Sequence, residues 1–142
     1  MSHWDYRFLE LAETVATWSK DPSSQVGCVL VNDFKQVVGL GYNGFPRGVA
    51  DTAERYNDRP TKYLMVQHAE VNAVLNAVAS ARGTTAYVTH FCCSSCAGVL
   101  IQSGIKQVVS RTPEPAFAER FADSFRASHT MFDEAGVTVT FI

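Results

Sequence analysis

No stretch of this 142-residue sequence is both long and apolar enough to cross a bilayer, which argues against a helical membrane protein. Residues 1 to 20 lack the unbroken apolar run of a secretory signal, because Asp5, Arg7, Glu10 and Glu13 interrupt it, so no export signal is expected. A basic excess is missing too. Twelve Lys and Arg against 14 Asp and Glu leave a formal charge of -2, and the cations are scattered rather than gathered into a stripe. A long nucleic acid is therefore a poor partner, whereas a small anion needs only one or two local cations and backbone donors. There is no internal repeat, no low-complexity tract and no linker, so residues 1–142 are expected to form one domain with one core and one site. Cysteine is scarce, at four residues: Cys28, Cys92, Cys93 and Cys96. With no export signal the expected setting is cytoplasmic and reducing, where closely spaced cysteines point to metal or redox chemistry rather than disulfides.

From Tyr6 to Trp18, Phe8, Leu9, Leu11, Ala12, Val15 and Ala16 recur at helical spacing until Asp21-Pro22 stops the pattern. Residues 26–32 and 36–42 are β-branched runs joined by a short polar turn, which predicts a hairpin. Residues 43–62 show no sustained period and read as a long irregular connection of the functional kind. A helix is expected over 68–81 with Arg82-Gly83 ending it, and a strand over 85–90. Further on, 94–103 reads as a helix, 105–110 as a strand, 115–134 as one or two helices and 137–142 as a last strand. An antiparallel hairpin followed by strand–helix alternation predicts an α/β fold, a three-layer α/β/α sandwich on a mixed five-stranded sheet.

The strongest chemical feature is His68-Ala69-Glu70, followed across one helix and one strand by Cys93-Ser94-Ser95-Cys96. Both pieces fall at predicted helix starts. Cysteines at i and i+3 share a helix face and can grip one ion, and a thiolate is favoured at a helix N-terminus. His68 would complete three ligands, leaving the fourth tetrahedral position of zinc open, as a catalytic rather than a structural site requires. At a helix's first turn His68 and Glu70 can both reach a ligand lying off the end of the axis, which places Glu70 as the proton carrier. The pair resembles H-x-E with P-C-x-x-C, the signature of the zinc base deaminases.

The chain here resembles the deoxycytidylate (dCMP) deaminases of the cytidine deaminase superfamily. The resemblance rests on the metal motif, on Ser19-Lys20-Asp21-Pro22-Ser23-Ser24-Gln25-Val26-Gly27, on Gly41-Tyr42-Asn43-Gly44-Phe45-Pro46-Arg47-Gly48 and on Thr61-Lys62-Tyr63, and it covers roughly residues 8 to 110. It implies hydrolytic deamination of dCMP to dUMP, with Zn2+ held by His68, Cys93 and Cys96 and protons moved by Glu70. It also implies substrate contacts: Asn43 to the sugar or base, the Ala69 N–H to the pyrimidine carbonyl, and the Ser94 carbonyl to the departing amino group. Lys20, Ser23 and Arg111 are the other expected substrate contacts, with Lys20, Arg47 and Arg111 as candidates for the phosphate and Arg111 favoured because it follows a strand end. Family members are commonly homo-oligomers, often hexamers, and many respond to dCTP with Mg2+ and to dTTP; Tyr42 and Gly44 lie in the loop that can serve such an effector site. Two departures stand out. Cys92 occupies the place where the family has proline, and Ser110 to Pro115 lacks the family's Asp-Lys-Tyr segment, which keeps dCTP or a modified cytosine nucleotide open as substrate.

Plainer readings stand beside these. The Cys pair alone would suit a structural zinc site in a non-catalytic binding module, or a redox pair, and the zinc chemistry is shared with polynucleotide editors, which need a basic groove. Cys28 reads as core, and His3, His90 and His129 as surface or structural histidines. Phe117, Phe121 and Phe125 read as core or subunit interface rather than a ligand box, Lys20, Arg47 and Arg111 as solvated charges, and Asn43 as a turn residue.

Overall fold

The computed structural model describes residues 2–142. The opening amphipathic pattern forms α1 (His3–Ala16), with the Asp5 carboxylate accepting the Ser2 N–H at its start. Helix α1 buries Phe8, Leu9, Ala12 and Val15. The hairpin follows as β1 (Gly27–Val31) and β2 (Val37–Tyr42), paired antiparallel. Its turn is closed by the Asn32 side chain, which accepts the N–H groups of Phe34 and Gln36 and lets Lys35 adopt a left-handed φ of 64°.

The connection expected to be irregular contains two short helices, α2 (Ala53–Asn57) and α3 (Arg59–Met65). Thr52 caps the first by accepting the Arg55 N–H, and Pro60 sits in the first turn of the second, where its missing N–H is harmless. Helix α4 (Ala69–Leu75) is half the length expected for 68–81. Its last turn is captured by the sheet: Asn76 Nδ2 donates to the Leu40 carbonyl and the Val78 N–H to the Val38 carbonyl, so the chain leaves the helix to follow β2. Strand β3 (Thr85–Val88), α5 (Ser94–Gln102), β4 (Gln107–Ser110), α6 (Pro115–Arg120), α7 (Ala122–Ala135) and β5 (Thr138–Phe141) complete the chain.

The sheet runs β2-β1-β3-β4-β5, with β1 antiparallel to both neighbours and β3, β4 and β5 mutually parallel. This is the expected mixed five-stranded sheet. Alternation sorts its side chains: Val29, Val31, Tyr87 and Val109 face α1, while Cys28, Leu30, Ala86, Val88 and Val108 face the layer of α4, α5 and α7. Because both faces are covered, β1 and β3 are buried at every position, which explains why they read as continuous apolar runs. Among the described residues no helix is long and apolar enough to cross a membrane.

Candidate active site

Helices α4 and α5 both lie on one face of the sheet and present their first turns to one place. His68 is the N-cap of α4 and Cys93 the N-cap of α5, both with extended backbone (φ -79° and -65°), which swings each side chain off the end of its helix. His68 Nδ1 lies 3.2 Å from Cys96 Sγ and 3.5 Å from Cys93 Sγ, and the three ligand atoms lie within 4.8 Å of one another. One imidazole nitrogen and two sulfurs make a donor set suited to zinc, whose tetrahedral bonds of about 2.0–2.3 Å need donors roughly 3.5–3.8 Å apart. No fourth His, Cys, Asp or Glu joins the cluster among the described residues, as a closed structural site would require. The groups can share protons among themselves. Cys93 is drawn down to about 4, first by a hydrogen bond from the Cys96 thiol and also by His68, while Cys96 is pushed up and His68 is raised by its bond to Cys93.

Helix α7 holds the ligand loop. Ser124 Oγ accepts the Ser94 N–H at 2.8 Å, and the fully buried Ser128 donates to the Cys92 carbonyl at 2.8 Å. Cys92 itself is fully buried and its thiol lies against Glu70; burial pushes it up, so it stays a protonated core thiol. The Cys92 N–H donates to no protein group among the described residues. Cys92→Pro therefore removes no backbone bond, and the variant should bind one zinc per chain with a Tm within a few degrees of the parent. Loss of zinc in elemental analysis of that variant would contradict the ligand set.

Glu70 is 4 % exposed, and burial raises its carboxyl above the usual range. With His68, Ala69 and Cys93 it lines a pocket whose wall is largely aromatic: Phe91, Phe117, Phe121 and Phe125, with His90 beside them. The wall continues through Asp21, Ser23, Asn43, Lys62 and Tyr63 to Arg59 and Arg120. Asn43 is largely committed to the scaffold. Its Oδ1 accepts the Val26 N–H at 2.8 Å, and its Nδ2 donates to the Ser24 carbonyl at 2.8 Å and to Asp21 Oδ2 at 3.5 Å. Asp21 in turn accepts the Ser23 and Ser24 N–H groups and a buried ion pair from Lys62 Nζ at 3.2 Å.

The structure thus brings His68, Cys93, Cys96, Glu70, Ala69, Asn43 and Ser23 together. Other expected contacts lie elsewhere. Arg111 pairs with Glu13 and faces a neighbouring hollow with Thr112 and Pro113, and Lys20 pairs with Asp51 at 3.0 Å outside the pocket. Ser94 stands at the start of α5 without lining the pocket, and Tyr42 and Gly44 line a separate hollow with Phe45, Arg47 and Asn72. Phe125 belongs to the core with Phe117 and Phe121 packed against it, as expected, and all three also line the pocket; Arg59, Tyr63, His90 and Arg120 line it without having been expected there.

Residues 2–112 match the family described as the cytidine and deoxycytidylate deaminase zinc-binding region. A protein of Aliivibrio fischeri described as an uncharacterized deaminase is 42% identical over 142 residues, covering 100% of this chain and 95% of that one. The human deoxycytidylate deaminase is 40% identical over 143 residues, covering 95% of this chain and 77% of its own length. Among solved structures, dCMP deaminase from the cyanophage S-TIM5 in complex with dCMP and dUMP superposes with a TM-score of 0.82, at 24% identity over 100% of this chain and 99% of that one, a likeness of fold. The match over most of the chain, the paired H-x-E and C-x-x-C motifs and the three converging donors agree: this chain belongs to the cytidine and deoxycytidylate deaminase family.

Proposed function

We propose that the protein, acting as one catalytic domain over residues 1–142, hydrolyses dCMP to dUMP and ammonia. The observation that carries this reading is that Glu70 and the donors His68 and Cys93 open on one aromatic-walled pocket that also holds uncompensated cations. The relatives agree with it: the human protein at 40% identity is a deoxycytidylate deaminase, and the cyanophage protein was solved with dCMP and dUMP.

His68, Cys93 and Cys96 would hold zinc, which when bound supplies a Lewis acid that lowers the pKa of a water in its open position towards about 7. Glu70 takes one proton from the attacking water and gives it to the ring nitrogen N3 as the C4–O bond forms. It then takes the second proton from the new C4 hydroxyl and gives it to the amino group, so that the C4–N bond breaks as C4=O forms and ammonia leaves. The Ala69 N–H, which has no protein acceptor among the described residues, donates to the pyrimidine carbonyl. The phenylalanine wall packs against the ring and keeps water out. Asn43, with one lone pair of Oδ1 left, meets the sugar while holding Asp21 and Ser24 in place.

Assembly as a homo-oligomer, a hexamer by resemblance, belongs to the same reading and is supported by large apolar side chains left on the surface: Leu64 at 86 %, Leu75 at 75 % and Val78 at 90 % exposure. So do a cytoplasmic setting and a dCTP–Mg2+ or dTTP effector at the Tyr42–Gly44 hollow. The test is the ultraviolet change when zinc-loaded protein is incubated separately with dCMP, dCTP, deoxycytidine and single-stranded DNA. Fastest turnover of dCMP is expected; turnover of DNA cytosine alone would replace the reading with a polynucleotide editor.

A further inference from the structure

The pocket carries three cations, and only one of them is neutralised. Lys62 is buried and paired with Asp21 at 3.2 Å. Arg59 and Arg120 line the same pocket, and neither has a carboxylate within ion-pair distance among the described residues. They are also arranged to meet. Arg59, Lys62 and Tyr63 stand at i, i+3 and i+4 on α3 and so share a face. Arg120, the last residue of α6, reaches across to that face, with Nη2 3.5 Å from the Tyr63 hydroxyl. Two arginines from different helices thus line the pocket near Tyr63, on a wall that also carries Phe117 and Phe121.

We infer that Arg59 and Arg120 form the subsite for the phosphate of a nucleoside monophosphate, while Lys62 in the same pocket stays paired with Asp21. This rests on the proposed deaminase reading and assigns the phosphate to residues other than Lys20 and Arg111, each of which faces a carboxylate outside the pocket. The charge favours a monophosphate. Two unpaired guanidinium groups balance its charge of about -2, presenting planar forks that suit phosphate oxygens, whereas a triphosphate would bring a further anionic load with no cation assigned to it. Glu70 is the other acid lining the pocket besides Asp21, so two positive charges remain for a ligand only if the anion stays at the Arg end, away from the carboxylate.

The test uses Arg59→Gln and Arg120→Gln in the full zinc-loaded chain, after their Tm and zinc content have been matched to the parent. Each should lower kcat/KM for dCMP by about 10- to 100-fold and leave deoxycytidine within about twofold, so the preference for the phosphorylated substrate collapses. Arg120→Lys should recover part of the loss as a point charge. Parent-like kcat/KM for dCMP in both Gln variants, or equal losses on dCMP and deoxycytidine, overturns the subsite. Calorimetric titration with dUMP and with deoxyuridine separates this from the question of activity. If the parent deaminates nothing yet binds dUMP, the deaminase reading fails. In that case dUMP binding lost in both Gln variants sustains the subsite, and binding unchanged in them overturns it. A parent that does not bind dUMP overturns both.

Discussion

Zinc-loaded Glu70→Gln should keep its fold and its metal and lose dCMP deamination by about 10²- to 10⁴-fold in kcat, with KM little changed. The amide matches the carboxylate in shape, so the packing around residue 70 survives: Ala69 and Ala73 stay buried and the Cys92 thiol keeps a neighbour. What disappears is the group able to accept a proton from water and hand it on twice. Glu70 is suited to that work by position. It is buried at the first turn of α4, two residues from His68, in a pocket lined by Phe91, Phe117 and Phe121. A kcat equal to the parent's removes Glu70 from the mechanism. A joint loss of zinc and thermal stability would instead make it a structural residue.

The second large effect falls on stability, at Gly41. A Cβ there would lie 2.3 Å from the Ala73 nitrogen, 2.6 Å from the Ala69 oxygen and 2.7 Å from the Asn72 carbonyl carbon, all backbone atoms of α4. Strand β2 and helix α4 therefore touch backbone to backbone, and a methyl group has nowhere to go unless the helix lifts. Gly41→Ala should cost at or above the upper end of about 1–3 kcal/mol, lowering Tm by roughly 10 °C. Because α4 begins at the candidate ligand His68 and at Glu70, the same shift should weaken zinc binding. Gly98 is the control. It lies inside α5, and nothing stands within 4 Å of a Cβ placed there. Gly98→Ala should therefore raise stability by about 0.4–1 kcal/mol. Thermal melts and zinc analysis of the pair decide the matter, and a Gly41→Ala protein that melts and binds zinc like the parent would refute the close packing of α4.

The parts of the site legible in the sequence are those encoded by local spacing. His68 with Glu70, and Cys93 with Cys96, sit at helix starts, and helix starts can be read from neighbouring residues; the tertiary fold only had to bring α4 and α5 onto the same sheet face. The pocket wall was hidden because it depends on how distant elements dock. The i, i+3, i+4 group of Arg59, Lys62 and Tyr63 becomes visible only once residues 59–65 are known to be helical, and Pro60 near the start of so short a segment masked that. Phe117, Phe121 and Phe125 do repeat at helical spacing. They join the core, Phe125 inside it and Phe117 and Phe121 against it, but the chain breaks at Phe121, with φ -109° and ψ 23° between α6 and α7, and the same stripe also forms one side of the cavity. Helix α4 was read too long for a related reason: residues 76–81 have helical composition, but Asn76 and Val78 hydrogen-bond to β2 carbonyls, and sheet contacts override propensity there. Arg111 follows a strand end as expected of a ligand contact, yet Glu13 on α1 takes its guanidinium from the far side of the sheet, a partner 98 residues away in the chain.

The most direct test of the account is a zinc titration of chelator-stripped protein, with dCMP deamination followed at each step by the ultraviolet change and by released ammonia. Activity should be absent without metal, rise in proportion to added zinc and level off at one zinc per chain. Undiminished turnover in the stripped protein, or no turnover of dCMP once one zinc per chain is bound, would contradict it.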